Sequence, residues 1–150
     1  MAQTLTRILV HIIFSTKDRR AWITPEIEIA LFAYIGGICR ASGCTLIAAG
    51  AADDHIHLLV LLSKTETLSD LLLAIKRDSS KWIKTQGSEF ARFGWQDGYA
   101  GLSIGQSQED AVKRYLAGQR KRHKTMSFND ELVTLLEKYK VKYDPKYLWD

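Results

Sequence analysis

Two histidines separated by one residue, His55 and His57, stand in an apolar run that follows Asp53 and Asp54. In a strand the side chains alternate with period two, so both imidazoles lie on one face and can converge on one cation. Two imidazoles are too few for a closed structural zinc site. They suit an open site completed by another protein ligand and by substrate oxygens. Mg²⁺ prefers oxygen donors, so the pair also fits Mn²⁺ or another transition ion. The bland alternative is a pair of polar residues on a half-exposed strand. The unbroken apolar run weighs against it, because polar groups placed there need partners. Much later in the chain Tyr115 and Gln119 stand four apart, a spacing that shares one helix face. From Lys113 to Lys124 there are six Lys or Arg and no Asp or Glu. A tyrosine oxygen is a poor nucleophile at its free pKa of about 10. Neighbouring cations favour its phenolate. Here too an ordinary packing tyrosine on a solvated basic face is the alternative. Taken together, the histidine pair and a tyrosine on a cationic helix point to metal-assisted attack on a phosphate backbone.

Other residues fit subsidiary roles. Asp53 and Asp54 are turn formers, and Asp54 can orient a histidine. His123 can face solvent or nucleic acid. Lys17, Arg19 and Arg20 follow the first strand. Lys76, Arg77 and Lys81 lie on the second helix, and Arg114, Arg120 and Arg122 flank the tyrosine. All nine are candidates for gripping a nucleic-acid backbone. Trp82, Phe90, Phe93 and Trp95 supply ring surface for unpaired bases or, more simply, for a core.

These groups need a scaffold, and the sequence offers one. The chain has 150 residues, 46% apolar and 25% charged, ordinary for one folded domain spanning 1–150. The formal charge is only +4, so the distribution of cations says more than their sum. Cys39 and Cys44 read as buried free thiols rather than a disulfide framework. No apolar run reaches about 18 residues and the N-terminus lacks a signal segment, so a cytoplasmic location is expected.

The β-branched run 7–15 predicts a central strand. Thr24-Pro25 starts a helix, with Glu26 and Glu28 in its first turn. Ile27, Leu31, Tyr34, Ile35 and Ile38 should face a sheet, and Gly43 should cap the end. Residues 45–52 and 55–62 predict an antiparallel pair across Asp53-Asp54. Thr67 and Asp70 open a second helix ending near Gly87. Residues 95–104 predict a strand followed by a loop. Ser107 with Asp110 and Ser127 with Asp130 mark two further helix starts. The order gives an α+β, ferredoxin-like split βαβ sandwich: an antiparallel sheet of about four strands, helices on one face and a C-terminal catalytic helix. The opposite face must be covered as well, or carry the site.

The chain closely resembles the small single-tyrosine transposases of bacterial insertion sequences, within the HUH (His-hydrophobic-His) endonucleases. The resemblance rests on Val10-His11-Ile12-Ile13-Phe14-Ser15-Thr16-Lys17 and Asp54-His55-Ile56-His57-Leu58-Leu59-Val60. It continues through Lys76-Arg77-Asp78-Ser79-Ser80, Tyr115 with Gln119, and the ending Tyr143-Asp144-Pro145-Lys146-Tyr147-Leu148-Trp149-Asp150. It implies that His55, His57 and Gln119 bind a divalent metal, Mg²⁺ or Mn²⁺, and that Tyr115 is the nucleophile. It implies cleavage and rejoining of single-stranded DNA through a 5′-phosphotyrosine, without ATP. Hairpin or palindromic DNA is the implied partner. The resemblance further implies a homodimer, often with the His pair and the tyrosine helix from different subunits, and a bacterial protein at the nucleoid when bound. Against this stand a non-catalytic nucleic-acid-binding domain and a metal-dependent single-strand nuclease that uses water.

Overall fold

The computed structural model describes residues 2–148. Trp149 and Asp150, part of the resembling C-terminal stretch, lie outside the described residues. Four strands, β1 (Ile8–Ser15), β2 (Thr45–Ala52), β3 (His55–Leu62) and β4 (Ala100–Ile104), form one sheet in the order β2-β3-β1-β4. All three pairings are antiparallel. With α1 (Pro25–Ala41) after β1 and α2 (Leu68–Lys84) after β3, this is the expected split βαβ arrangement.

Local chemistry accounts for the element limits. Pro25 occupies the first turn of α1, where its missing N–H costs nothing, and Glu26 and Glu28 follow. Ser42 is the C-cap, and Gly43 beyond it takes φ 75°, a conformation that glycine adopts without strain. The side chains of Thr67 and Ser127 accept from the amides of Asp70 and Asp130 and cap their helices as expected. Asp53 and Asp54 form the tight connection between β2 and β3.

Strand alternation divides the sheet into two faces. Val10, Ile12, Phe14, Ile56, Leu58 and Val60 pack against α1 and α2 through Leu31, Ile35, Leu71 and Ile75. His11, Ile13, Ser15, His55 and His57 belong to the opposite face. That face is covered by α3 (Glu109–Ala117), α4 (Gln119–Arg122) and α5 (Phe128–Lys138). Leu116 packs with Leu9, Leu59 and Ile104, while Phe128, Leu132, Leu135 and Leu136 pack with Ile13, Ala100 and Leu102.

Several expectations need correcting. Helix α2 stops at Lys84 rather than near Gly87. The fourth strand begins only at Ala100, and Trp95 contributes an isolated bridge to Thr16. Ser107 does not cap α3; a short 3-10 turn over Gln106–Gln108 leads into it, and Gln108 makes no side-chain cap. Tyr115 and Gln119 do not share one continuous helix, because the chain breaks at Gly118 between α3 and α4. Tyr34 stacks on Trp82 at the edge of α1 instead of facing the sheet. Cys39 and Cys44 are buried and unpaired, and burial pushes the Cys39 thiol up to about 12. No helix among the described residues is long and apolar enough to cross a membrane.

One glycine sets how closely α3 approaches the sheet. A Cβ on Gly50 would lie 1.9 Å from the carbonyl oxygen of Leu116. Gly50 pairs with His57 in the β2–β3 register, so the close approach occurs beside the histidines. Gly50→Ala must displace backbone rather than a flexible side chain. We expect it to cost about 1–3 kcal/mol in urea unfolding.

Candidate active site

Strand β3 presents His55 and His57 on one face, as the one-residue spacing requires, and both are fully buried. Asp54, the last residue of the hairpin connection, places Oδ1 2.7 Å from His55 Nδ1 and aims Nε2 inward. His57 Nδ1 lies 2.8 Å from Nε2 of His11 on β1, which aims His57 Nε2 the same way.

The two Nε2 atoms meet the carboxylate of Glu131 from α5. Glu131 Oε1 is 3.0 Å from His57 Nε2, 3.3 Å from His55 Nε2 and 2.8 Å from His123 Nε2. Its other oxygen accepts from the hydroxyl of Tyr115 and, at 3.0 Å, from the amide of Gln119. Gln119 Oε1 lies 3.2 Å from His55 Nε2. His123 donates from Nδ1 to the Met126 carbonyl at 2.7 Å, and its Nε2 contact with Glu131 turns it to the site rather than to solvent. Phe128 packs its ring against His55, with centroids 4.6 Å apart.

Burial and charge set the proton inventory. Burial opposes charge on His55, but the hydrogen bonds to Asp54 and Glu131 outweigh it and push the ring up to about 8. Burial pulls His57 down to about 4, although Glu131 faces it. Burial, and then His57, pull His11 down to about 3. Burial and the Glu131 carboxylate push the Tyr115 phenol above its ordinary value. Arg122, whose guanidinium carbon lies 3.8 Å from the Tyr115 ring centroid, works in the opposite direction. Glu131 resists burial: His55, His57 and Tyr115 hold it well below the usual carboxylate range. In this arrangement Glu131 is an anion and Tyr115 a phenol.

The donor set suits a divalent cation. His55, His57 and Glu131 each offer one ligand atom, and these lie within 4.8 Å of one another. The Gln119 oxygen adjoins the same group. Glu131 Oε1 and Gln119 Oε1 lie 3.0–3.3 Å from the histidine nitrogens that they face. Two nitrogens and two oxygens can serve Mn²⁺ and, less well, Mg²⁺.

The proposed backbone-gripping cations fall into separate places. Arg120 is spent inside the fold: it binds Asp53 at 2.6 Å, Glu28 at 3.2 Å and the Ile23 carbonyl at 2.9 Å. It thereby ties α4 to the hairpin connection and to α1. Arg122 lies on Tyr115 and donates to its carbonyl at 3.3 Å. Lys76 donates to the Gln96 and Gly98 carbonyls, and its burial pulls it down to about 8. Arg77 pairs with Asp78 at 2.9 Å. Lys17, Lys76, Arg77 and Lys81 line one groove of about 700 Å³, walled by Phe93, Trp95 and Tyr99. Arg19 and Arg120 line another of about 730 Å³, which runs past Asp54 and Phe128. Arg20 and Arg114 are exposed. Of the proposed stacking rings, Phe90, Phe93 and Trp95 are core, and the Trp95 indole N–H donates to Ser79 at 2.9 Å.

Sequence reasoning missed Glu131 and His11 as members of the site. A signal for Glu131 existed: it lies among Phe128, Leu132 and Leu135 on the apolar stripe of α5, where an acid needs partners. His11 had only its place in an apolar strand, and its meeting with His57 depends on the β1–β3 register.

Residues 4–119 match the family described as Transposase IS200 like. The fold is similar to that of a candidate transposase from Deinococcus radiodurans, with TM-score 0.62 and 19% identity, over 80% of this chain and 96% of that one. It is also similar to a REP-associated tyrosine transposase bound to a REP hairpin. There the TM-score is 0.60 and the identity 14%, over 82% of this chain and 74% of that one. No curated protein sequence matches this one.

Removing the central carboxylate leaves buried histidines, a phenol and an amide without their acceptor. We expect Glu131→Ala to lose about 3 kcal/mol in urea unfolding at neutral pH. Glu131→Gln, which keeps an acceptor oxygen, loses less in the same measurement.

Proposed function

The chain belongs to the IS200-like, HUH transposase family, and on that premise we propose that it cleaves and rejoins single-stranded DNA through a covalent link to Tyr115. The observation that carries this reading is the meeting of Tyr115 with the His55–His57 pair within one chain. The Tyr115 and His57 ring centroids are 6.0 Å apart, and Glu131 bridges them.

In this reading His55, His57, Gln119 and Glu131 hold the divalent cation, Mg²⁺ or Mn²⁺. A cation bound there supplies Lewis-acid polarisation of the scissile phosphate. Asp54 and His11 keep the two imidazoles aimed. Tyr115 oxygen attacks phosphorus, forming an O–P bond while the bond to the 3′ oxygen breaks. The phenol's proton passes to solvent as the O–P bond forms, and the departing 3′ oxygen takes a proton from solvent. A free 3′-hydroxyl later attacks the phosphotyrosine and restores the strand. The phosphodiester energy is kept in the protein linkage, so no nucleotide is consumed.

The arrangement described is a resting one. His55 and His57 are fully buried and Gln119 and Glu131 are each 1% exposed, so a strand reaches them only when α5 or the Glu131 side chain gives way. The cleft past Asp54, Arg19 and Phe128 is the natural approach. The groove lined by Lys17, Arg77 and Lys81 lies on the α2 side of the sheet and suits a flanking hairpin. The exposed Arg20 and Arg114 add to backbone contact. Because α5 supplies Glu131, the catalytic unit extends beyond residue 119 to include α5. A homodimer presents two such sites, and light scattering in solution tests it.

The deciding experiment is incubation with hairpin-bearing single strands and Mn²⁺. The wild type is expected to yield a denaturation-resistant adduct that mass spectrometry places on Tyr115. Tyr115→Phe is expected to lose the adduct while still binding the DNA. Cleavage without an adduct overturns this reading in favour of a nuclease that uses water. Metal binding has its own test. Mn²⁺ at about 100 times its Kd should stabilise the fold by about 2.7 kcal/mol. His57→Ala should abolish most of that gain in thermal unfolding.

A further inference from the structure

We propose that His11 is a positioning residue that sets the tautomer of His57, through a buried hydrogen bond whose direction reverses when His57 Nε2 ligates the metal. This rests on the metal site of the preceding section. His11 lies on β1 and His57 on β3, diagonal neighbours two residues apart in the register, since His11 pairs with Leu59 and His57 with Ile13. Their rings stand 5.0 Å apart at 33°, with His11 Nε2 2.8 Å from His57 Nδ1. The two residues are 2% and 0% exposed, so water does not compete for the contact.

A contact of this length between two neutral imidazoles holds one proton. Two would collide, and none would set two lone pairs against each other. Which ring owns the proton follows from the far side of His57. There Nε2 faces Glu131 Oε1 at 3.0 Å, and a carboxylate oxygen only accepts. With no cation, His57 therefore carries its proton on Nε2, and Nδ1 accepts from His11 Nε2. A nitrogen that ligates a cation carries no proton. When His57 Nε2 takes up that role it releases its proton to solvent, the shared proton moves from His11 Nε2 to His57 Nδ1, and His11 takes a replacement proton from solvent on its own Nδ1, so that His57 Nδ1–H now donates to His11 Nε2. The same hydrogen bond thus runs in opposite directions in the two states.

His55 is served differently. Its Nδ1 faces Asp54 Oδ1 at 2.7 Å, an acceptor in both states. A second carboxylate at His57 could not donate to Nδ1 in the metal-free state. It would also add negative charge beside Glu131. An imidazole meets both needs because each of its nitrogens can donate or accept. Placing it on β1 couples the metal site to the central strand of the sheet.

The tests need neither DNA nor turnover. Nitrogen-15 spectra of the imidazoles report which ring nitrogen is protonated. In the wild-type chain His57 is expected to be protonated on Nε2 without metal and on Nδ1 with Zn²⁺, a diamagnetic probe. His57 keeping the same protonated nitrogen in both states overturns the proposal. Calorimetric titration with Mn²⁺ gives the second readout. His11→Phe keeps a ring but no acceptor and should weaken Mn²⁺ about 10–100-fold, and His11→Gln, whose amide can donate or accept, should recover most of the loss. Equal Mn²⁺ affinity in wild type and a folded His11→Phe overturns it. If His11→Phe does not fold, the wild-type spectra decide. A Tyr115 adduct formed by a His11→Phe protein with unchanged Mn²⁺ affinity sinks this inference alone. The expected tautomer change without any adduct sinks the cleavage reading alone.

Discussion

The carboxylate of Glu131 is the point on which the site depends. It is buried beneath α5 and receives His55, His57 and His123 on one side and Tyr115 and Gln119 on the other. A lone buried carboxylate would be expensive to desolvate, so this one persists only because the surrounding donors saturate it. The dependence is mutual. Without the carboxylate, the imidazoles, phenol and amide would crowd together with no charge to organise them. This one interaction orients groups from β3, α3, α4 and α5 together. It also explains why the hydroxyl of Tyr115 is held as a phenol in the arrangement seen.

The sheet supplies the precision that the carboxylate exploits. Strand β3 is paired on both sides, by β1 and β2, so its side-chain directions are set by two ladders. A slip of one residue would turn both histidines into the α1–α2 core. The hairpin connection is held in turn: Asp54 backs His55, its carbonyl accepts from Thr16, and Asp53 receives Arg120 and the Ile23 amide. Gly50 lets α3 come close enough for Tyr115 to reach the centre. These contacts are distant in sequence, which suits a rigid histidine platform under a covering layer attached by side chains.

That covering layer is built from short helices. Helix α4 has a single turn, α3 ends at Gly118, and α5 is held to the sheet by one apolar stripe of Phe128, Leu132, Leu135 and Leu136. Its polar attachment to the histidines is Glu131. A divalent cation would compete for that carboxylate and for the imidazole nitrogens at the same time. Metal uptake and release of the phenol would therefore be physically linked, because they draw on one shared set of oxygen and nitrogen atoms.

Much of this was open to reading along the chain. The two-residue alternation in 55–62 put both histidines on one face, the Asp53-Asp54 connection made the hairpin, and the element order named the sheet. The Thr67 and Ser127 caps were local hydrogen bonds between residues three apart, which is why they could be foreseen. The one-turn spacing of Tyr115 and Gln119 brought them to the same place even though Gly118 interrupts the helix. What periodicity could not supply was the partner across space. Glu131 and His11 look like ordinary members of a helix and a strand. Arg120 looked like one more cation in a basic run, yet its guanidinium is paired with Glu28 and Asp53. Side-chain direction along an element follows from its own backbone and so is written locally. Which faces meet depends on strand order, register and the docking of α5, and these are decided only when the whole chain closes on one core.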